Sequence, residues 1–222
     1  MLESLDGKIS TGSIDQRDID KNFPKIKGVM EGLKQYYELE MKTDFWSLNT
    51  GRVMEKIGTN NKNDEPKKID FLRFVIIDNK PHLKEKGITY LSKKLKDLYV
   101  VTINKKHPAT KLSHLGNVHV IKYNKEIDFT DLFEKLNRDY GAERVTIQSG
   151  GTLNSVLLRK GLIDEISLIV APVLVGGKDT PTLIDGNSLK SDKDLSKIKA
   201  LKLKNCQRLN DSYLHLTYEV LK

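Results

Sequence analysis

The stretch Arg144-Val-Thr-Ile-Gln-Ser-Gly-Gly-Thr-Leu-Asn-Ser-Val-Leu-Leu-Arg159 decides the fold of this chain. It reads as a buried strand, a Ser149-Gly150-Gly151 turn and a helix that opens at Thr152. Paired glycines let a ligand come close to the backbone, because no Cβ stands in the way. The first turn of the following helix offers N–H groups without intrahelical partners and the positive end of its dipole. Ser149, Gly150, Gly151, Thr152 and Leu153 are therefore candidates to hold a phosphate or pyrophosphate at the carboxyl edge of a parallel sheet. The plain alternative is a tight turn that needs small residues for packing. The spacing is not that of a G-x-G-x-x-G fingerprint. No Gly-Lys-Ser/Thr follows it, which argues against a P-loop kinase or ATPase.

Outward from this stretch, Gly161 sits where a C-terminal helix cap belongs. Residues 166–171 are almost continuously apolar and β-branched, the mark of a strand covered on both faces; Pro172 ends its ladder and Gly176-Gly177 forms a second glycine turn. Further strands are predicted at 44–48, 71–77, 98–103 and 118–123, and short helices at 51–57 and 88–95. Ile26, Val29, Met30, Leu33 and Tyr37 fall on one helical face, with Pro24 near its start. Thr130 is the expected N-cap of a helix with Leu132, Phe133, Leu136 and Tyr140 inward and Gly141 as its stop. Residues 59–68 are polar and turn-rich, a surface loop. Residues 200–209 and 213–221 alternate around Asn210-Asp211-Ser212 and read as an antiparallel hairpin. Strands alternating with helices predict an α/β three-layer sandwich: a mostly parallel central sheet, helices on both faces and a C-terminal hairpin, in one domain over 1–222. Phe45 and Trp46 are expected in its core.

At 222 residues the chain is within single-domain range for such a fold. No apolar run reaches the ~18 residues of a membrane span. The first residues carry Glu3 and Asp6 and no long apolar core, so no signal peptide is visible. Cys206 is the only cysteine, which excludes an intrachain disulfide or a cysteine zinc site and makes a reducing, cytoplasmic home the default. The net charge of +8 raises nucleic acid as a partner, but the lysines are spread along the chain without aromatic interleaving. A solvated basic surface that draws in phosphorylated ligands is the reading kept, with no nucleic-acid and no membrane partner.

The run SGGTLNSVLLRKGLIDEISLIVAPVLVGG is similar to the C-terminal signature of the riboflavin-biosynthesis pyrimidine reductases, which share a dihydrofolate-reductase-like fold. Ser4-Leu5-Asp6-Gly7-Lys8-Ile9-Ser10 resembles that family's first-strand signature. Residues 71–78 resemble its strand ending in aspartate, and Tyr99-Val-Val-Thr102 its following strand ending in threonine. The matches run in family order from residue 4 to about residue 186. One departs: the family's Gly-Thr-x-x-x-x-Asp-x-Pro run is replaced by Leu48-Asn-Thr-Gly-Arg-Val-Met-Glu-Lys-Ile-Gly58. The resemblance implies an NADPH-dependent reductase that converts the ribosylamino side chain of a phosphoribosylaminopyrimidine to ribitylamino by hydride transfer to C1′, commonly as a homodimer. It also implies that Thr50, Gly51, Thr102 and the Gly176-Gly177 turn touch the cofactor, with Arg52 as the partner of a 2′-phosphate or simply a surface arginine.

Such a reductase needs few reactive side chains, since the hydride is the cofactor's. It needs a proton donor, and Asp6 and Lys8 are the sequence's best offers, just past the first strand. Together with Ser4 and Asp78 they are the candidates to hold the substrate, against the reading of Asp6-Gly7 as a plain turn. His82, His107, His114, His119 and His215 appear scattered, with no metal-binding spacing; His119 and His215 read as strand residues. The zinc deaminase signature is absent. A reductase of another heterocycle or small carbonyl compound, and a nucleotide-binding module without catalysis, stay open as alternatives.

Overall fold

The computed structural model describes residues 1–42 and 45–222. The predicted start of the second strand at Asp44 lies outside the described residues. In chain order the strands are β1 (Leu2–Ser4), β2 (Trp46–Thr50), β3 (Ile69–Ile77), β4 (Leu95–Thr102), β5 (Val118–Lys122), β6 (Thr146–Ile147), β7 (Glu165–Ala171), β8 (Leu201–Arg208) and β9 (Leu214–Val220). The α-helices are α1 (Ile19–Asn22), α2 (Lys34–Glu40), α3 (Gly51–Lys56), α4 (Glu85–Lys94), α5 (Phe129–Tyr140) and α6 (Gly151–Arg159). They fall into two compact units: Met1–Thr43 with Gly150–Lys222, and Asp44–Ser149.

The unit of residues 44–149 is built on a five-stranded parallel sheet of order β5-β4-β3-β2-β6. Register aligns Thr50 with Ile77, and Ile77 with Val101, so β2, β3 and β4 end level at their carboxyl edge. One face is sealed by α4, whose Gly87, Ile88, Leu91 and Ser92 are buried at helical spacing. Ile88, Leu91 and Leu95 join Ile76, Leu98 and Val100 in one apolar cluster. Each such fully buried side chain contributes roughly 1.5–3 kcal/mol. Helix α5 is capped not by Thr130 but by Asp128, whose carboxylate accepts from the amides of Thr130 and Asp131. An aspartate two residues earlier satisfies two orphan amides, which a threonine inside the turn cannot. Gly141 stops the helix as expected, at φ 71°. Trp46 is in the core, but Phe45 is 58% exposed and sits edge-on to Phe71. Strand β6 is shorter and less covered than its sequence suggested, two half-buried residues paired to Ser47 and Leu48.

The other unit has a four-stranded sheet of order β1-β7-β9-β8, with β1 parallel to β7 and the rest antiparallel. The C-terminal hairpin forms as read, its turn using Asp211 (φ 53°) and Ser212 (φ 65°). Helix α6 ends in a Schellman motif: Gly161 N–H donates to Leu158 O and Leu162 N–H to Leu157 O, both at 3.0 Å. Strand β7 is buried from Leu168 to Ala171, while Glu165 and Ser167 are exposed. The single helix expected through Ile26–Tyr37 is absent. Gly28 has φ 86°, the segment proceeds by turns, and only α2 is helical there. Val29 and Leu33 still reach the core, against Phe23, Ile169 and Tyr213, whereas Ile26, Met30 and Tyr37 are exposed.

Candidate functional site

In the unit formed by the two chain ends, β1 runs into a turn that Gly7 closes at φ 73°. Ser4 is fully buried, and its hydroxyl donates to Asp6 Oδ1 at 2.5 Å while accepting from Lys8 N–H at 2.9 Å. The Asp6 carboxylate also accepts from Val175 N–H at 3.1 Å and Gly176 N–H at 2.6 Å. Lys8 Nζ donates to the carbonyls of Gly177 (3.0 Å) and Thr180 (3.2 Å). Ser4, Asp6, Lys8, Gly176 and Gly177 are thus brought together. The Ser4 hydroxyl and the two loop amides hold the Asp6 pKa down at about 2. In these contacts the ionised Asp6 carboxylate only accepts hydrogen bonds. Its carboxylate and the Lys8 ammonium staple the glycine loop from both ends.

The same loop continues to Thr182, which bridges to Lys8 and lies against the start of α6. The helix opens at Gly151, one residue before the expected Thr152, with Gly150 as its N-cap. A Cβ on Gly151 would stand 2.2 Å from Thr182 O and 2.6 Å from Asp185 Oδ2, so that glycine is demanded by packing. Gly150 differs. Its φ of −77° suits any residue, and a Cβ there would meet nothing within 4 Å. The Leu153 amide, expected to bind phosphate, donates to Gly150 O at 3.1 Å. Gly151 and Thr152 occupy the positions whose amides an α-helix leaves without intrahelical acceptors. The space beside Gly150 is thus open, while Thr182 and Asp185 fill the side that Gly151 faces. Ser149, in the other unit, is buried.

In that other unit the carboxyl edge of the sheet gathers Thr50, Gly51, Asp78 and Thr102. Thr50 caps α3, its Oγ1 accepting from Val53 N–H at 3.3 Å. Gly51 starts the helix so close to Asp78 that a Cβ would lie 2.2 Å from the carboxyl carbon. Arg52 follows, exposed. Thr102 is fully buried; its hydroxyl donates to Asp78 O at 2.7 Å and accepts from Asn104 N–H at 3.0 Å. Asp78 is 1% exposed and accepts from His82 Nδ1 (2.9 Å), His82 N–H (3.2 Å), Leu83 N–H (3.0 Å) and His107 Nε2 (3.0 Å). Burial pushes its pKa up, but the His107, Leu83 and His82 hydrogen bonds win and hold it below the usual carboxylate value. With those partners Asp78 is an internal hub of the sheet's carboxyl edge. Thr102 likewise serves the backbone around it. His82 and His107, which looked scattered, converge here; the Asp-x-x-x-His spacing was the only local signal. His119 and His215 do lie in strands, beside Asp97 and Ser167.

A parallel sheet ending in short helical turns, with strands joined to a C-terminal hairpin, defines a mixed α/β protein of the dihydrofolate-reductase-like kind. Among the described residues no helix is long and apolar enough to cross a membrane. The chain belongs to the RibD C-terminal domain family, whose model matches residues 1–214. It is 39% identical over 70 residues, 32% of each chain, to the 2,5-diamino-6-ribosylamino-4(3H)-pyrimidinone 5′-phosphate reductase of Methanothermobacter thermautotrophicus. It is 32% identical over 104 residues, 46% of this chain and 47% of the relative, to the protein of the same name from Archaeoglobus fulgidus. The matches span about a third to a half of the length of these curated relatives. Among solved structures it is similar to RibD of Acinetobacter baumannii (TM-score 0.69, 17% identity, 100% of this chain and 57% of that one). It is also similar to the riboflavin biosynthesis reductase Rib7 of Saccharomyces cerevisiae (TM-score 0.59, 16% identity, 99% and 87%). At those identities the likeness carries the fold alone.

Proposed function

We propose that residues 1–222 work as a single reductase domain. It uses NADPH to convert the ribosylamino side chain of a phosphoribosylaminopyrimidine to ribitylamino. Family membership and the names of the matched relatives support this reading. The observation that carries it is Gly150: neither backbone conformation nor packing asks for glycine there, and the main chain is left bare at a helix start.

Gly150, Gly151 and Thr152 would hold the cofactor phosphates. A bound nicotinamide supplies the hydride from its C4. The ribosylamino sugar opens to an imine, C1′ takes the hydride and the nitrogen takes a proton. Lys8 is the proposed proton donor: an ammonium has three N–H groups, and two are engaged with Gly177 and Thr180 carbonyls. Asp6, ionised, keeps lone pairs for ribose hydroxyls while Ser4 holds its orientation. The enzyme is proposed to act as a cytoplasmic homodimer. The missing Asp-x-Pro run after β2 favours one second reading, reduction of a different small heterocycle or carbonyl compound.

Gly150→Ala tests the cofactor seat. The variant is expected to melt with the parent and to bind NADPH at least about tenfold more weakly, ~1.4 kcal/mol, read from NADPH fluorescence enhancement. Equal NADPH affinity in the two proteins, or no enhancement by the parent at near-millimolar NADPH, would overturn the reading.

A further inference from the structure

The unit formed by the two chain ends holds a second concave surface, at the far end of α6 from Gly150. The stretch after Thr182 is strapped along that helix. Asp185 N–H donates to Gly151 O at 3.1 Å, Asn154 Nδ2 to Leu183 O at 3.0 Å and Arg159 Nη2 to Asn187 O at 2.9 Å. The chain continues through the turn Asp192–Lys197, which the Asp194 carboxylate pins by accepting from Lys190 N–H at 3.0 Å and from the Ser191 N–H and hydroxyl, both at 3.1 Å. Between these segments lies a cavity of about 230 Å³. Leu158 from the last turn of α6, Ile184 and Leu189 from the strapped stretch and Ile198 after the turn give it an apolar lining. Ile184, Leu189 and Ile198 are 36%, 38% and 59% exposed. Hydrogen bonds fix the segments that carry them, so these side chains stand around open space instead of closing on one another. An apolar ligand gains by displacing water from such a concave surface.

The charges around it are of one sign. Arg159, Lys197 and Lys199 line the same cavity, and no carboxylate does. Lys197 shares its charge with Asp194 at 2.5 Å. Arg159 and Lys199 are half-buried and, among the described residues, stand in no ion pair. A basic residue at a helix end commonly serves the last carbonyls. Here the carbonyls of Leu157 and Leu158 already accept from Leu162 and Gly161 N–H, so Arg159 is not needed for that. Its bond to Asn187 O holds the guanidinium in place and engages one of five N–H groups. Two cations without acid partners beside an apolar floor complement a ligand with one anionic head and an apolar body. The volume is below the ~300–1,000 Å³ of drug-sized sites, which limits that body to one or two rings or a short chain.

We propose that this cavity is a binding site for a small apolar anion, an aromatic or short aliphatic carboxylate. The body lies against Leu158, Ile184 and Leu189, and the head meets Arg159 and Lys199. The site is separate from the cofactor seat: Gly151 and Arg159 are the two ends of the nine-residue α6, roughly 12 Å apart. The probe is 2-naphthoate, compared by calorimetry with the uncharged 2-naphthamide. Naphthoate is expected to bind saturably at about millimolar concentration, and naphthamide about tenfold more weakly. The double variant Arg159→Gln, Lys199→Gln keeps a donor for Asn187 O. It is expected to lose about tenfold for naphthoate and nothing for naphthamide. Leu189→Asn is expected to weaken both ligands alike. In the parent, naphthoate is expected to move the methyl resonances of Ile184 and Ile198, and NADPH not to displace it. No saturable binding of naphthoate up to about 10 mM, equal affinity for the two ligands, or an unchanged affinity in the double variant overturns the proposal. Binding that leaves both methyl groups unmoved overturns it too. NADPH affinity, measured on the same proteins, reports on the reductase reading independently of each of these outcomes.

Discussion

Asp6 shows how one residue's chemistry follows from what surrounds it. Its usual carboxyl pKa of 3.8 falls to about 2 because the ionised form collects the Ser4 hydroxyl and the amides of Val175 and Gly176. A folded-state pKa below the unfolded one adds stability above the unfolded value and loses it as pH falls through the folded one. The margin by which the parent outlasts Asp6→Asn in urea is therefore expected to be full above about pH 4 and to shrink towards pH 2. An equal margin at pH 5 and pH 2 would show that Asp6 is not an ionised anchor. The sequence offered Asp6 and Lys8 as candidates because they follow directly on the first strand. It did not reveal that both side chains are engaged with the glycine loop's backbone. Such contacts join residues about 170 positions apart, as Asp6 and Gly176 are, and leave no local trace.

At the level of elements, legibility followed how much of each signal was local. Helix α6, its Schellman stop and the C-terminal hairpin were readable because glycine and turn residues carry their own conformational preferences. The segment through Ile26–Tyr37 misled because helical spacing of apolar residues was satisfied by turns instead. Gly28 at φ 86° breaks the helix, and Gly32 lets Tyr213 in: a Cβ there would stand 2.6 Å from the tyrosine ring. Tyr213, fully buried, then donates its hydroxyl to Val29 O at 2.5 Å, and burial pushes its pKa up to about 12. That hydrogen bond replaces the helical bonds the turn gives up. Tyr213→Phe is expected to cost about 1–3 kcal/mol in denaturant unfolding, because Val29 O is left buried without its donor. Gly32→Ala is expected to cost more, since an aromatic ring in a packed core cannot step aside. A Tyr213→Phe variant as stable as the parent would mean that Val29 O finds another donor.

At the scale of the whole molecule, the two units differ in how the chain reaches them. Residues 44–149 form a continuous segment in which β3 and β4 pair as close neighbours, as in Arg73 with Asp97, 24 positions apart, and only the two-residue β6 returns from afar. The other unit joins the chain's two ends: the Met1 amino group donates to Ser167 O, 166 positions on, and Tyr213 reaches Val29 across 184. Closing so long a loop costs conformational entropy before any contact in the sheet returns it, and folding slows as contacts become more distant in sequence. Chains of this size commonly fold through intermediates, and the continuous segment is the part able to form first. In pulse-labelled hydrogen exchange during refolding, the amides of β3 and β4 are therefore expected to gain protection in an earlier phase than those of β1 and β7. The apolar cluster of Ile76, Leu98 and Val100 with α4 lies wholly within that early segment and supplies its driving force. Val75 and Val100, fully buried on β3 and β4, and Ile169 on β7 give well-shielded reporters for the two phases. If all of them became protected together in one exponential phase, the discontinuity of the chain would have no kinetic consequence, and closure of the long loop would have to precede both sheets.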